Sequence, residues 1–416
     1  MLRTLVLTIS ISTLLTGCWD RVELTDRLYP LAIAIDTAEE EPPKSLEPQL
    51  GLRFPDEKDK RLQQMSPEKQ QFEMHEKYTV TLEIPIFKEL VKNGGGPGGG
   101  GGGGAGGGGG GKPAWLLAST GVPIGTVLEQ IETRSFRPIS FGHLKVIIIG
   151  EKAARLGIEE YLAFFRRQHE IDRKTKVAIA RGEAKDILSV DVAIDRLVGL
   201  SLNKIIGSRN TNRTIPMDIG KASTYLSAKR SFVLPRVIPG KRDLKVAGLA
   251  VFQGDKMVGW LGEEETQGLL LVTGKDVTGT IAIGHLPDMH GEATYRITRA
   301  RSLINATIKG GKIRFGIRLR LNGLLEEVES DTTVDPGRIK ELQEAIAKAV
   351  RERAVLVIKK TQGDFKADVF GLGRHLAIKY PRTWEKIKDR WDQIYPSVEI
   401  NIEEVSARIQ SPGLRR

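Results

Sequence analysis

The chain has a single cysteine in 416 residues, and it stands at position 18, directly behind an apolar run. A lone thiol excludes an intramolecular disulfide framework and any zinc centre built on several thiolates. The fold must therefore be held by an ordinary apolar core. Composition permits this: 40% of residues are hydrophobic and 28% charged, and the length is room for two or three domains. A formal net charge of +11 favours polyanionic surfaces, whether anionic lipid, nucleic acid or the acidic face of a partner.

Residues 1–17 have the order of an export signal. Arg3 gives a short positive start, and Leu5 to Leu15 is an eleven-residue apolar stretch broken only by hydroxyls. A spanning helix needs roughly 20 apolar residues, so this run fits the core of a signal peptide better than a membrane span. Leu15-Thr16-Gly17-Cys18 then has the arrangement of a bacterial lipobox. In that chemistry the Cys18 sulfur takes a diacylglycerol, the chain is cut before Cys18, and the new amine is acylated by a fatty acid such as palmitate. Each buried CH₂ adds about 0.8 kcal/mol, so two or three chains hold a protein durably to a bilayer. An uncleaved anchor or a buried thiol is the alternative, and the cysteine's position at the end of the apolar run favours lipidation. Export removes nucleic acid from the partners.

Past Cys18, Leu31 to Asp36 and Tyr78 to Ile86 are expected strands, separated by a polar stretch over 39–76. Gly94 to Gly111 is glycine at sixteen of eighteen positions. Such a run cannot offset its ordering entropy and is expected to be a flexible excursion. Its end, Gly106 to Lys112, has the G-x-x-x-x-G-K spacing, but Pro113 follows in place of Ser or Thr and no strand feeds it. From 124 onward strands and helices alternate: a helix on Ile124, Val127, Leu128 and Ile131, a strand over 144–149, a helix or helix pair to Phe165, a strand over 177–180, and helices over 184–188 and 192–202. The polar stretch 207–216 is the expected first boundary. Strands follow over 233–237, 244–252 and 256–261, then a short helix over 263–271 and strands over 279–285, 293–308 and 312–329, the last two joined at Gly310-Gly311. Asp335-Pro336 opens a long helix with Ile339, Leu342, Ile346, Val350 and Leu356 on its stripe. Trp384, Ile387 and Trp391 share the face of a final helix, and 398–405 closes the chain as a strand.

The domains expected are thus 18–206, carrying the insertion 94–111, then 207–290 and 291–410. Catalytic chemistry finds no support. The six histidines, at 75, 143, 169, 285, 290 and 375, show no i, i+4 pair, and no G-x-S-x-G elbow occurs. Glu263-Glu264-Glu265 and Glu326-Glu327 read as solvated faces. Phe365 to Gly373 reads as a tight corner, and Trp384 and Trp391 as core. Lys379, Arg382, Lys386, Lys388 and Arg390 fit either an anionic lipid surface or plain solvent.

Four blocks resemble the Ger(x)C family, the lipoprotein C subunits of bacterial spore nutrient germinant receptors. They are Leu15-Thr16-Gly17-Cys18-Trp19-Asp20-Arg21-Val22-Glu23-Leu24, the run Phe141 to Glu151, Gly248 to Phe252 with Gly259-Trp260-Leu261, and Asp368 to Gly373 followed by Trp384 and Trp391. The segment from about 39 to 113 departs from the family by its length and glycine content. The resemblance implies an α+β fold of three domains, each a mixed or antiparallel sheet flanked by helices. It also implies a non-enzymatic subunit without cofactor or metal, anchored through acylated Cys18 on the outer face of the spore inner membrane. Its partners there would be a multi-spanning A subunit and a transporter-like B subunit. The rival reading, a solute-binding lipoprotein of an importer, should show two similar lobes and a hinge, and the sequence has no such internal repeat.

Overall fold

Short apolar runs of β-branched residues fold as strands covered on both faces when helices can pack on each side. In the computed structural model this holds for Ala32–Thr37 (β1), Val146–Gly150 (β4) and Lys176–Ala180 (β5), whose central residues are fully buried. The structure describes residues 26–38, 78–92, 113–208, 212–274, 277–284, 293–328 and 336–410. The expected signal segment, Cys18, the polar stretch 39–76 and the glycine run 94–111 lie outside the described residues.

The first sheet has eight strands. Tyr78–Pro85 (β2) pairs antiparallel with β1, and Ala114–Gly121 (β3) pairs antiparallel with β2. On the other side of β1, β4 and then β5 add in parallel, followed by Phe232–Pro239 (β6). Leu244–Gln253 (β7) and Lys256–Leu261 (β8) complete it as antiparallel neighbours. The order is therefore β3-β2-β1-β4-β5-β6-β7-β8. Its helices are Phe87–Lys92 (α1), Ile124–Glu132 (α2), Glu151–Leu156 (α3), Glu159–Arg167 (α4), Ala184–Leu188 (α5), Val198–Gly207 (α6) and Ile219–Ser227 (α7). One face of the sheet packs on α2, α3, α4 and α7, and the other on α5 and α6, giving two separate core clusters.

The second sheet has four strands, in the order β12-β11-β10-β9. Gly279–Ile283 (β9), Ala293–Lys309 (β10) and Lys312–Val328 (β11) are antiparallel, and Glu399–Ile409 (β12) joins β11 in parallel. Gly310 and Gly311 both have positive φ, as a two-residue hairpin turn requires. Between the sheets lies Glu263–Thr273 (α8), buried from Thr266 to Val272 on every side. It packs on β7 and β8 of one sheet, on β10 and β11 of the other, and on the long helix Pro336–Gly363 (α9). Leu372–Lys379 (α10), Pro381–Ile387 (α11) and Trp391–Ile394 (α12) close the C-terminal half.

The α+β class is as expected, and among the described residues the strands form two sheets where three were expected. The strands on either side of 206/207 belong to one sheet, because β6 continues the parallel run from β5 through Ile179–Arg236 and Ala180–Val237. The two strands nearest 290/291, β9 and β10, pair with each other. The helix expected over 192–202 starts only at Val198, where a buried carboxylate meets its first amides. Leu356 faces outward, and Ala354, Val357 and Ile358 continue the buried stripe of α9 instead. The final helix is broken by a 3₁₀ turn over Lys388–Arg390.

Candidate functional site

The motif that opens α10 is the most elaborately built polar feature of the described residues. Asp368 is buried at the corner after α9, and its carboxylate accepts the Leu372 N–H at 2.9 Å and the Gly373 N–H at 2.8 Å. A third donor comes from the Trp391 indole Nε1–H, also at 2.9 Å. Burial raises the Asp368 carboxyl above its ordinary range, against these bonds, which lower it. Gly371 precedes the helix in the left-handed region, which a residue without Cβ adopts freely. A Cβ at Gly373 would stand 2.7 Å from the Trp384 ring and 2.9 Å from the Trp391 nitrogen. Those two rings meet edge to face at 5.4 Å between centroids. The block is thus a corner held by one buried carboxylate, as expected of Phe365 to Gly373.

A second cluster surrounds the point where the described chain begins. Leu28 donates its N–H to Pro138 and accepts from Ser140, tying the N-terminal strand segment to the Phe141 block. Glu170 gathers three partners there: the Ser140 hydroxyl at 2.8 Å, the Phe141 N–H at 3.0 Å and the Arg27 guanidinium at 3.2 Å. Burial pushes its carboxyl up, but these donors together hold it below the usual range.

Two more carboxylates serve as helix caps. Asp36, at the end of β1, accepts from the amides of Ala184 and Lys185 at the start of α5. Glu83, in β2, accepts from Val198 and Gly199 at the start of α6. Both sit against orphan N–H groups, where a negative charge is favoured. Burial nonetheless raises Asp36 to about 6 and Glu83 to about 7. None of Asp36, Glu83 and Glu170 stood out in the sequence. The available signal is a lone acid inside an apolar strand, as in Thr81-Leu82-Glu83-Ile84.

The acidic run Glu263-Glu264-Glu265 is not a plain solvated face. Glu263 pairs with Arg213 and Lys245, Glu265 with Lys360 at 2.8 Å, and Glu264 approaches Arg353 at 3.9 Å. Glu263 also lines an open cleft of about 470 Å³ with Ile205, Thr214 and Val246, but its charges are spent on one another. Glu326 pairs with Arg296. His143 packs on Tyr29, and His75, His285 and His290 lie outside the described residues. Among the described residues no group of three or more His, Cys, Asp or Glu could hold a metal ion, and no helix is long and apolar enough to cross a membrane. Of the basic residues near the C-terminus, Lys379 donates to Asn305 Oδ1 and to the Ala306 carbonyl, and Lys388 pairs with Glu385.

Residues 20–239 match the family model described as the spore germination protein N-terminal domain, and residues 247–413 match that of the spore germination B3/GerAC-like C-terminal domain. This chain belongs to the Ger(x)C family. Relatives of this Ger(x)C protein include spore germination protein YndF of Bacillus subtilis strain 168, 28% identical over 92% of this chain and 90% of its own. Spore germination protein B3 of the same strain is 28% identical over 66% of this chain and 75% of its own. Spore germination protein KC, also of that strain, is 23% identical over 73% and 80%. Among solved structures, that of the GerBC protein is similar with a TM-score of 0.55 and 24% identity, covering 80% of this chain and 93% of that one. That likeness carries the fold. The family places this protein among the components of spore germination.

Proposed function

We propose that this Ger(x)C protein is the lipid-anchored C subunit of a nutrient germinant receptor and works by docking, without catalysis. The observation that carries this is the order of two features. The lone Cys18 sits at the end of a signal-like apolar run, and the two family matches, beginning at residue 20, follow it almost to the C-terminus. Acylation at Cys18 would tether the protein to the outer face of the spore inner membrane, beside a multi-spanning A subunit and a transporter-like B subunit. The buried carboxylates support a scaffold role, since each is turned into a helix terminus and away from solvent.

The test is nutrient-triggered germination of spores carrying Cys18→Ala, with other receptors removed and a non-nutrient trigger as control. Loss of the nutrient response alone is expected. If the response survives both this substitution and deletion of the gene, the receptor reading falls.

A further inference from the structure

The second sheet buries only one of its faces. Ile304, Phe315, Ile317, Leu319 and Leu321 pack toward the core that holds α8 and α9. The residues between them point the other way, and α10 reaches that side at Asn305, where Lys379 donates to its Oδ1. There Arg301 of β10 stands directly across from Arg320 of β11. One row along, Arg299, Asn322 and Arg408 lie side by side on three neighbouring strands. All four arginines are exposed, and none has an ion pair or side-chain hydrogen bond among the described residues.

Folding alone gives no reason for this grouping, because like charges directly opposite across two strands are destabilising. The acids of the same face do not relieve it. Glu399 is engaged by Arg314 at 2.7 Å and Glu403 by Arg318 at 2.9 Å, while Glu404, exposed and across from Arg318, makes no ion pair with any of the four arginines among the described residues. Leu303, 55% exposed, lies in the same column as Arg301 and puts an apolar side chain among the cations. The unpaired cations of these two rows are all guanidinium, which meets phosphate oxygens with two parallel N–H donors where an ammonium offers a point charge.

We propose that this face lies on an anionic phospholipid surface, with Arg299, Arg301, Arg320 and Arg408 taking headgroup phosphates. The proposal rests on the reading of Cys18 as a membrane anchor, which holds the chain within reach of a bilayer. The face is one exposed side of a sheet, and basic clusters of four to eight residues bind anionic headgroup surfaces.

The test uses the acylated full chain in vesicles of phosphatidylcholine with or without phosphatidylglycerol. Cys18 is the only native thiol and is blocked by lipid, so a fluorophore on Leu303→Cys reports this face alone. Quenching by headgroup-labelled lipid is expected in the anionic vesicles. It should fall about 5-fold in about 0.5 M salt, and as far with Arg301→Gln/Arg320→Gln, as a screened, charge-driven contact requires. A chain that carries lipid at Cys18 by mass and floats with the vesicles, yet leaves the label unquenched, overturns the proposal and leaves the anchor standing. That result would favour an acidic protein partner for the face. A chain without lipid at Cys18 overturns the anchor reading and this proposal with it.

Discussion

Trp391 donates its indole N–H to Asp368 across 23 positions of sequence, at 2.9 Å, and so ties the corner after α9 to the start of α12. Removing the acid leaves three donors without an acceptor, two of them backbone amides at a helix N-terminus. Asp368→Ala should cost about 3 kcal/mol, whereas Trp391→Phe, which leaves the carboxylate its two amides, should cost about 1 kcal/mol. Urea unfolding of the two variants and their double mutant measures this. The double mutant should cost less than the sum, since both remove one shared bond.

Stability should fall as pH rises from about 4 to about 7. Asp36 and Glu83 keep their protons to about 6 and about 7 in the fold, because burial disfavours the carboxylate. Within that window the folded chain binds more protons than the unfolded one, so the slope of unfolding free energy with pH is negative. Their contribution is complete below the unfolded carboxyl values and is lost as pH passes the folded ones. For Asp36, raised from 3.8 to about 6, the difference between protonation states is about 3 kcal/mol. Asp36→Asn and Glu83→Gln should each flatten the pH profile of thermal unfolding. A profile unchanged by both substitutions would contradict the assignment.

At Gly268 the two helices α8 and α9 touch backbone to backbone. A Cβ there would fall on the Arg353 carbonyl, which cannot swing aside as a side chain can. Gly268→Ala should lower stability by about 2 kcal/mol. Gly363→Ala, where nothing stands within 4 Å, is the control and should be near neutral. Thermal melting of both separates crowding from a general effect of glycine.

Deleting Gly94–Gly111 should leave folding intact. Its flanks are already held together, since Ile86 donates to the Pro113 carbonyl at 2.8 Å and Pro85 pairs with Ala114. Shortening the closed loop roughly threefold lowers its closure entropy by about 1 kcal/mol. A melting temperature unchanged or a few degrees higher is expected, and a large fall would show that the run packs somewhere.

The long elements were legible because their patterns are strong. β10 and β11, seventeen residues each, alternate for most of their length around a Gly-Gly turn, and α9 keeps its apolar stripe for most of its length. β3 carries no strand signal in the sequence, because Ala114–Gly121 barely alternates, and it becomes a strand through pairing with β2. The corner at Phe365–Gly373 and the core placement of Trp391 were readable from the glycines and aromatic spacing. The buried carboxylates were not, because their partners lie far along the chain: 148 positions separate Asp36 from Ala184, and 115 separate Glu83 from Val198. Contacts of that reach are set by the sheet order, which periodicity alone cannot supply. The arginine face was hidden for the same reason, since only the register sets Arg301 against Arg320.

Burial of α8 on every side has a mechanical meaning. A helix clamped by both sheets and by α9 leaves little freedom for one half to swing against the other. Such a body transmits displacement like a strut, where a clamshell would absorb it by closing. Any hinge between the two halves would have to strip α8 from β7 and β8 or from β10 and β11.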